Sequence, residues 1–377
     1  MSSPPRVHFG ASMFKQTLRA PVATGVQATT AGASFAQTHW RAPSVTAQQD
    51  KSLHSLSGVT MGTTWSLRLV NADYAPLAPV QVLVQDTLDQ VIAQMSNWEE
   101  DSHISRFNAA PADSWQVLPP QLSEVLQAAL HWARSCDGAW DPTIGALVSL
   151  WGFGPRPDPE AAHSGQPPAE SAIAQALAVS GYQRLQWQAQ ERKLWQPGGL
   201  QLDLSGIAKG FAVDWVVERL QQAGWLNGLL EIGGELRGWG CRPDGAPWRV
   251  AVAGQAVGTG ADSELPAEPL VLALRNGAVA TSGDHWHVFS HAGQRYSHTL
   301  DPRTGRPVAH AMTSVSVCHA QCMHADALAT VLTVLGPQAG WEFALTHEVA
   351  AVFHTHARPA LPQGERKMTP AWTALLP

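Results

Sequence analysis

The stretch SHTLDPRTGRP, residues 297–307, gathers groups able to do acid–base and anion chemistry. If the chain runs extended into it, Tyr296, His298 and Leu300 share one strand face. His298 is the natural proton carrier, because an imidazole ordinarily titrates near pKa ~6.5. The same residue would serve equally as a structural histidine inside a sheet. Asp301-Pro302 starts a tight turn that Gly305 can complete. Arg303 and Arg306 are always charged and suit a phosphate.

Two further groupings have chemistry in them. In ADALAT, residues 325–330, Asp326 and Thr330 stand at i and i+4, so a helix puts their oxygens on one face. A carboxylate with a hydroxyl suits a hard cation such as Mg²⁺; a carboxylate favouring a helix N-terminus is the plainer alternative. In LDLSGIAKGFA, around Asp203, Gly206 and Gly210 allow close backbone approach and Ser205 can cap the helix that follows. A helix N-terminus is an anion site in waiting; a capped helix with a solvated Lys209 explains the same residues. GGELRGWG, 233–240, is a bend past which a ligand runs, or a sharp hairpin. CHAQCMH, 318–324, hints at zinc, yet Cys318 and Cys322 would lie roughly 13 Å apart if extended. That is too far for a disulfide, and reduced structural thiols are the expectation.

These groups need elements to hold them. HSLSGVTMGTTWSLRLV, 54–70, predicts a strand pair broken at Gly62. A helix follows, with Val82, Leu83, Leu88, Val91, Ile92 and Met95 as its apolar stripe. PPQLSEVLQAALHWARSCDG is a second helix, started by Pro119 and Pro120 and ended before Gly138. ESAIAQALAVSG is a third, closed by Gly181. GLQLDLS, 199–205, alternates as a strand, and the helix after it shows a polar face of Asp214, Glu218, Gln221 and Gln222. Strand-like runs then dominate until ADALATVLTVLG, a helix, and VAAVFHT, a strand. Strands mixed with helices, without regular βαβ alternation, predict an α+β fold with a mixed or antiparallel sheet packed by helices. The expected layout is a disordered N-terminal tail over 1–50, one domain over 51–360 and a C-terminal tail over 361–377.

Composition excludes some functions. Only 14% of the 377 residues are charged and the formal net charge is −6, with no long basic run, which argues against a nucleic-acid surface. No apolar run reaches the ~18 residues of a membrane-spanning helix. No signal-peptide pattern opens the chain and no cysteine precedes Cys136 for a lipid anchor, which by sequence points to the cytoplasm and leaves the localisation open.

In order, MGTTWSL, MSNWEEDSHISRFN, DPTIGALVSLWGFGP, LDLSGIAKGFAVD, EIGGELRGWG, VATSGDHW, SHTLDPRTGRP and ADALATVLTVLG resemble the successive motifs of the ApbE family, the FAD:protein FMN transferases, over about residues 55–355. The resemblance implies an α+β enzyme that uses Mg²⁺ and takes FAD as substrate. It implies transfer of FMN to a threonine hydroxyl on an acceptor flavoprotein subunit of an electron-transfer system, with release of AMP. Met61 and Trp98 would line the flavin site. Ala139, Trp140 and Asp141 would run along FAD, Asp203 and Lys209 would contact it, and Leu300 would touch the flavin. Mg²⁺ would sit on Asp326, Thr330 and position 206. Gly206 can offer only its carbonyl there, and Trp98 stands where several relatives have Tyr. His298 would be the base for the threonine. Hydrolysis of FAD to FMN and AMP is the alternative from the same site; a non-catalytic flavin-binding protein is the alternative of another class. No D-[GS]-[AS]-T-like acceptor segment is present, so the expectation is a donor of flavin, not an acceptor.

Overall fold

Alternating burial along eight strands builds the centre of the computed structural model, which describes residues 52–155, 166–252, 270–283, 288–310, 312–355 and 365–376. The strands are β1 (Leu53–Thr60), β2 (Thr63–Val70), β3 (Gly228–Ile232), β4 (Glu235–Trp239), β5 (Asn276–Gly283), β6 (Met312–His319), β7 (Ala350–Thr355) and β8 (Arg366–Met368). Their order in the sheet is their order in the chain, and every neighbouring pair is antiparallel. The helices enter as insertions between strands of this meander: α1 (Ala78–Met95), α2 (His103–Asn108), α3 (Pro120–Ser135), α4 (Gly145–Leu150), α5 (Glu170–Val179), α6 (Ala208–Gln222), α7 (Cys322–Thr346) and, at the end, α8 (Pro370–Thr373).

Side chains at every second strand position point to one face. Leu67, Leu230, Ala278, Ala280, Val315, Val317 and Ala351 meet α1, α3, α6 and α7 in the main core. Leu229, Val279 and Val352 face the other way, under the antiparallel strand pair Trp248–Val252/Leu270–Leu274 and Trp372 of α8. A third cluster joins Leu147 and Trp151 to Ile173 and Leu300. These elements lie within one compact unit, residues 49–377. Among the described residues no helix is long and apolar enough to cross a membrane.

Several expectations change in three dimensions. The expected tail at 1–50 and residues 156–165 of the Pro-rich excursion lie outside the described residues. The stretch 199–205 keeps its alternation, with Leu200, Leu202 and Leu204 fully buried, but among the described residues makes only one bridge, Gln201 to Ile144. Its backbone groups find partners in a loop and at the end of α2 instead: Asp203 N–H donates to Pro142 O and Leu202 N–H to Asn108 Oδ1. Ser205 does not cap α6, which starts after Ile207 without a side-chain cap. Val82 is 59% exposed, and α1 instead buries Val80, Val84, Leu88, Val91 and Met95. Asp214 is buried, not on a polar face. The expected C-terminal tail adds strand β8 to the sheet, and Thr369 accepts the Trp372 N–H to start α8. The reason is Trp372, which is fully buried against the second face of the sheet.

Candidate active site

Helices α6 and α7 come together at a glycine. A Cβ on Gly210 would overlap the Cys322 carbonyl and lie 2.8 Å from Asp326 Cβ, so only hydrogen fits there. The close approach lets Gly210 N–H donate to Asp326 Oδ2 at 2.9 Å. The start of α7 is held from α6 as well: Asp214 accepts N–H bonds from Cys322 and Met323, both 2.9 Å. Arg237 on β4 secures Asp214 at 2.6 Å. Asp214, not Asp326, therefore answers the positive end of α7. Asp326 is buried and, among the described residues, accepts a hydrogen bond only from the Gly210 N–H.

Around Asp326 the chain assembles oxygen and charge. Thr330 Oγ1 donates to the Asp326 carbonyl at 3.3 Å and pairs with Ser282 Oγ at 3.0 Å. Gly206 lies directly against Thr330, since a Cβ there would be 3.2 Å from Thr330 Oγ1 and 3.0 Å from Trp140 Nε1. Lys209, on the first turn of α6, donates to Glu235 Oε2 at 2.6 Å. Glu235 follows the two-residue turn Gly233-Gly234, with φ of 59° and 107°. Two positive-φ residues make the primed turn that suits a two-residue hairpin, so GGELRGWG is a sharp hairpin.

The electrostatics are those of two carboxylates sharing one ammonium. Burial and then the Asp326 charge push Glu235 up to about 8, against the pull of Lys209. Burial also raises Asp326, which Lys209 and the Gly210 N–H draw back down. Burial works against the charge on Lys209, but Glu235 and Asp326 outweigh it and raise its pKa. Two carboxyl groups thus face one ammonium, and burial makes a proton or another cation the counterpart of the second. The donors available are a carboxylate, a hydroxyl and the Gly206 carbonyl, all hard oxygens of the kind Mg²⁺ takes. Among the described residues no group of three His, Cys, Asp or Glu is placed to hold a metal, so this centre would depend on those neutral oxygens and on water. Cys318 and Cys322 are free thiols at the end of β6 and the start of α7; the chain turns between them and the assumed extended spacing does not apply.

The other expected residues are held in place by different means. The segment Ala139-Trp140-Asp141 leads into 142–145, which bonds 201–203 through Gly145 N–H to Gln201 O and Asp203 N–H to Pro142 O. Asp141 anchors that segment by accepting from Thr143 N–H, Thr143 Oγ1 and Tyr182 N–H. Ala139 is fully buried, Trp140 nearly so. Asp203 Oδ1 accepts from Ser205 N–H at 2.8 Å. Trp98 is 70% exposed on the loop after α1. Asn108 ties that loop to the strip beside Asp203, bonding Asn97 Oδ1 and Leu202 O. Met61, at φ 47°, sits on the β1–β2 turn; the adjoining Gly233 N–H bonds Thr64 O, which sets this turn beside the one carrying Glu235.

The opening motif is rearranged. The strand Gln294–Ser297 ends before His298, and Leu300–Asp301 begins a separate short pair with Arg306–Pro307. Tyr296 stacks on Phe289 at 4.8 Å, His298 meets the edge of Phe153 at 6.4 Å, and Leu300 is buried on Leu147 and Trp151. Arg303 is not offered to a phosphate; it forks onto Asp301 at 2.9 and 2.8 Å. Arg306 pairs with Glu170 of α5. The turn is therefore a rivet. Gly305, at φ 68°, gives its carbonyl to Trp151 Nε1 at 2.7 Å, which pins the chain leaving His298 to α4.

Glu235, Ser282 and Phe153 contact the expected residues Lys209, Thr330 and His298, and residue types alone did not single them out. Their only signals are an acid directly after Gly-Gly, a serine before a glycine at a strand end, and an aromatic in WGFG.

The ApbE family model matches residues 61–353. The chain is 37% identical over 295 residues to the FAD:protein FMN transferase of Vibrio cholerae, covering 78% of this chain and 85% of that protein. It is 34% identical over 309 residues to the FAD:protein FMN transferase of Haemophilus influenzae, covering 80% and 86%. The apo crystal structure of the Pseudomonas stutzeri flavinyl transferase ApbE superposes with a TM-score of 0.76 at 34% identity, covering 86% of this chain and 96% of that one.

Proposed function

The chain belongs to the ApbE family, and from that premise we propose that it moves the FMN moiety of FAD onto a threonine hydroxyl of an acceptor protein and releases AMP. The acceptor is a flavoprotein subunit of an electron-transfer system. The observation that carries this reading is the oxygen cluster of Asp326, Thr330 and Gly206 beside the Lys209–Glu235 pair. Binding of a flavin alone would need no such cluster.

The threonine Oγ bonds to the FMN phosphorus, the bridging P–O bond breaks, and AMP leaves with the bridging oxygen. His298 takes the hydroxyl proton, held by the edge of Phe153 and by the riveted turn that follows it. Mg²⁺ on Asp326, Thr330 and the Gly206 carbonyl would neutralise diphosphate charge as that bond breaks. Lys209 adds a positive charge from the first turn of α6, where Glu235 holds it. The exposed indole of Trp98 is free to stack on the isoalloxazine, with Met61 and Leu300 as further flavin contacts and the 139–141 segment along the dinucleotide.

The test is incubation of the protein with FAD, Mg²⁺ and an acceptor domain bearing the target threonine. Transfer gives a fluorescent acceptor band on a denaturing gel, and the band disappears when the threonine is replaced by valine. Free FMN and AMP without a labelled band mean hydrolysis and overturn the reading.

A further inference from the structure

Lys209 has two carboxylates within electrostatic reach and pairs with the one that is not the expected metal ligand. Its Nζ is 2.6 Å from Glu235 Oε2. The charge of Asp326 acts on it too, yet among the described residues no ion pair joins Lys209 to Asp326. Asp326 has one oxygen engaged by the Gly210 N–H, and Oδ1 accepts no hydrogen bond among the described residues. The place of Glu235 is set by backbone and not by charge. The Gly233-Gly234 turn and the Ile232–Glu235 pairing fix where its side chain leaves the sheet, and the residue is 3% exposed.

We propose that Glu235 is a positioning residue that keeps the Lys209 ammonium off Asp326, and so keeps Asp326 open to a divalent cation. The inference rests on the reading of Asp326 as a metal ligand. An ammonium and a divalent cation compete for the same buried carboxylate. Paired only with each other, Lys209 and Asp326 would form a closed, neutral unit in a low-dielectric site, and a cation would have to break it. Glu235 supplies a second carboxyl group for the ammonium and so leaves Asp326 Oδ1 without that partner. Lys209 stays close enough to serve the diphosphate, because it is drawn aside and not removed.

The experiment is a double-mutant cycle read as Mn²⁺ and Mg²⁺ affinity by calorimetry, on the full chain without FAD. The variants are Glu235→Gln, Lys209→Met, the two combined, and Asp326→Asn. Glu235→Gln is expected to weaken metal binding by about tenfold. Lys209→Met is expected to change affinity little in the native background, where the ammonium is already held aside. In the Glu235→Gln background it is expected to restore affinity by about tenfold, and that inequality is the signature of coupling. Equal effects of Lys209→Met in both backgrounds would mean that Glu235 only contributes its charge. No rescue at all would mean that Glu235 is itself a ligand. Either result overturns the positioning role, as does a Glu235→Gln variant with native affinity. Asp326→Asn tests the premise separately: native metal affinity in that variant removes Asp326 as a ligand, whatever the cycle gives. If Glu235→Gln does not fold, Glu235→Asp replaces it, with the same inequality expected at smaller size and equality still overturning the role.

Discussion

At the residue scale, the difference between a site residue and a packing residue is a matter of what the side chain already does. Trp98 does little for the fold, being 70% exposed. Trp98→Asn is therefore expected to leave the melting temperature unchanged and to weaken FAD binding by at most about tenfold, since stacking is worth roughly 0.5–1.5 kcal/mol. The larger expected effect is more free FMN and AMP per acceptor labelled. A lower melting temperature with an unchanged product ratio would return Trp98 to the structural class. His298 is expected to behave differently, because a proton carrier acts in the transition state. His298→Ala should keep FAD affinity, measured by flavin fluorescence, and lose transfer by about 10²–10⁴-fold. A loss under tenfold would point to a structural histidine against Phe153.

At the element scale, strand register sets the surroundings of titrating groups. His354 on β7 is 3% exposed, 3.4 Å from Ser314 Oγ on β6 and opposite Arg366 on β8. Burial, then the Arg366 charge, lowers its pKa below the ordinary histidine value. The folded chain thus refuses a proton that the unfolded chain accepts below pH ~6.5. Its stabilising contribution is complete above that pH and is lost as pH falls toward the depressed folded value. The raised carboxyls Asp141, Asp214 and Glu235 act with the opposite sign, so the wild-type curve alone does not isolate His354. The difference does: His354→Gln should lose less melting temperature than wild type between pH 7 and pH ~5. Parallel curves for the two proteins would show that His354 does not titrate across this range.

At the scale of the whole molecule, a continuous antiparallel meander carries helices on one face and needs a cover on the other. The strand pair 248–252/270–274 and α8 provide it. Trp372→Ala should cost ~3–5 kcal/mol, as for other buried tryptophans, although the residue belongs to no catalytic motif. Chemical denaturation with an unchanged m-value checks this. A change below ~1 kcal/mol would mean that the second face holds without it.

The local pattern of the chain was enough for much of this protein. Period-two and 3.6-residue repeats mark the β1–β2 hairpin, α1, α3 and α6, and the i, i+4 spacing puts Asp326 and Thr330 on one helix, because those relations involve only neighbouring residues. The motifs, taken in order, carry the family. What the pattern does not contain is the pairing of groups far apart in the chain. Asp214 reads as one of a polar face until Arg237 and the start of α7 arrive beside it. Arg303 and Arg306 look free for a phosphate until the turn folds back on Asp301 and α5 brings Glu170. Gly206 meets Thr330, and Lys209 meets Glu235, only where a helix crossing and a hairpin register bring them together. Burial then decides which of these charges are held by partners and which remain available, since a carboxylate's cost and use depend on the dielectric and the neighbours that tertiary structure supplies.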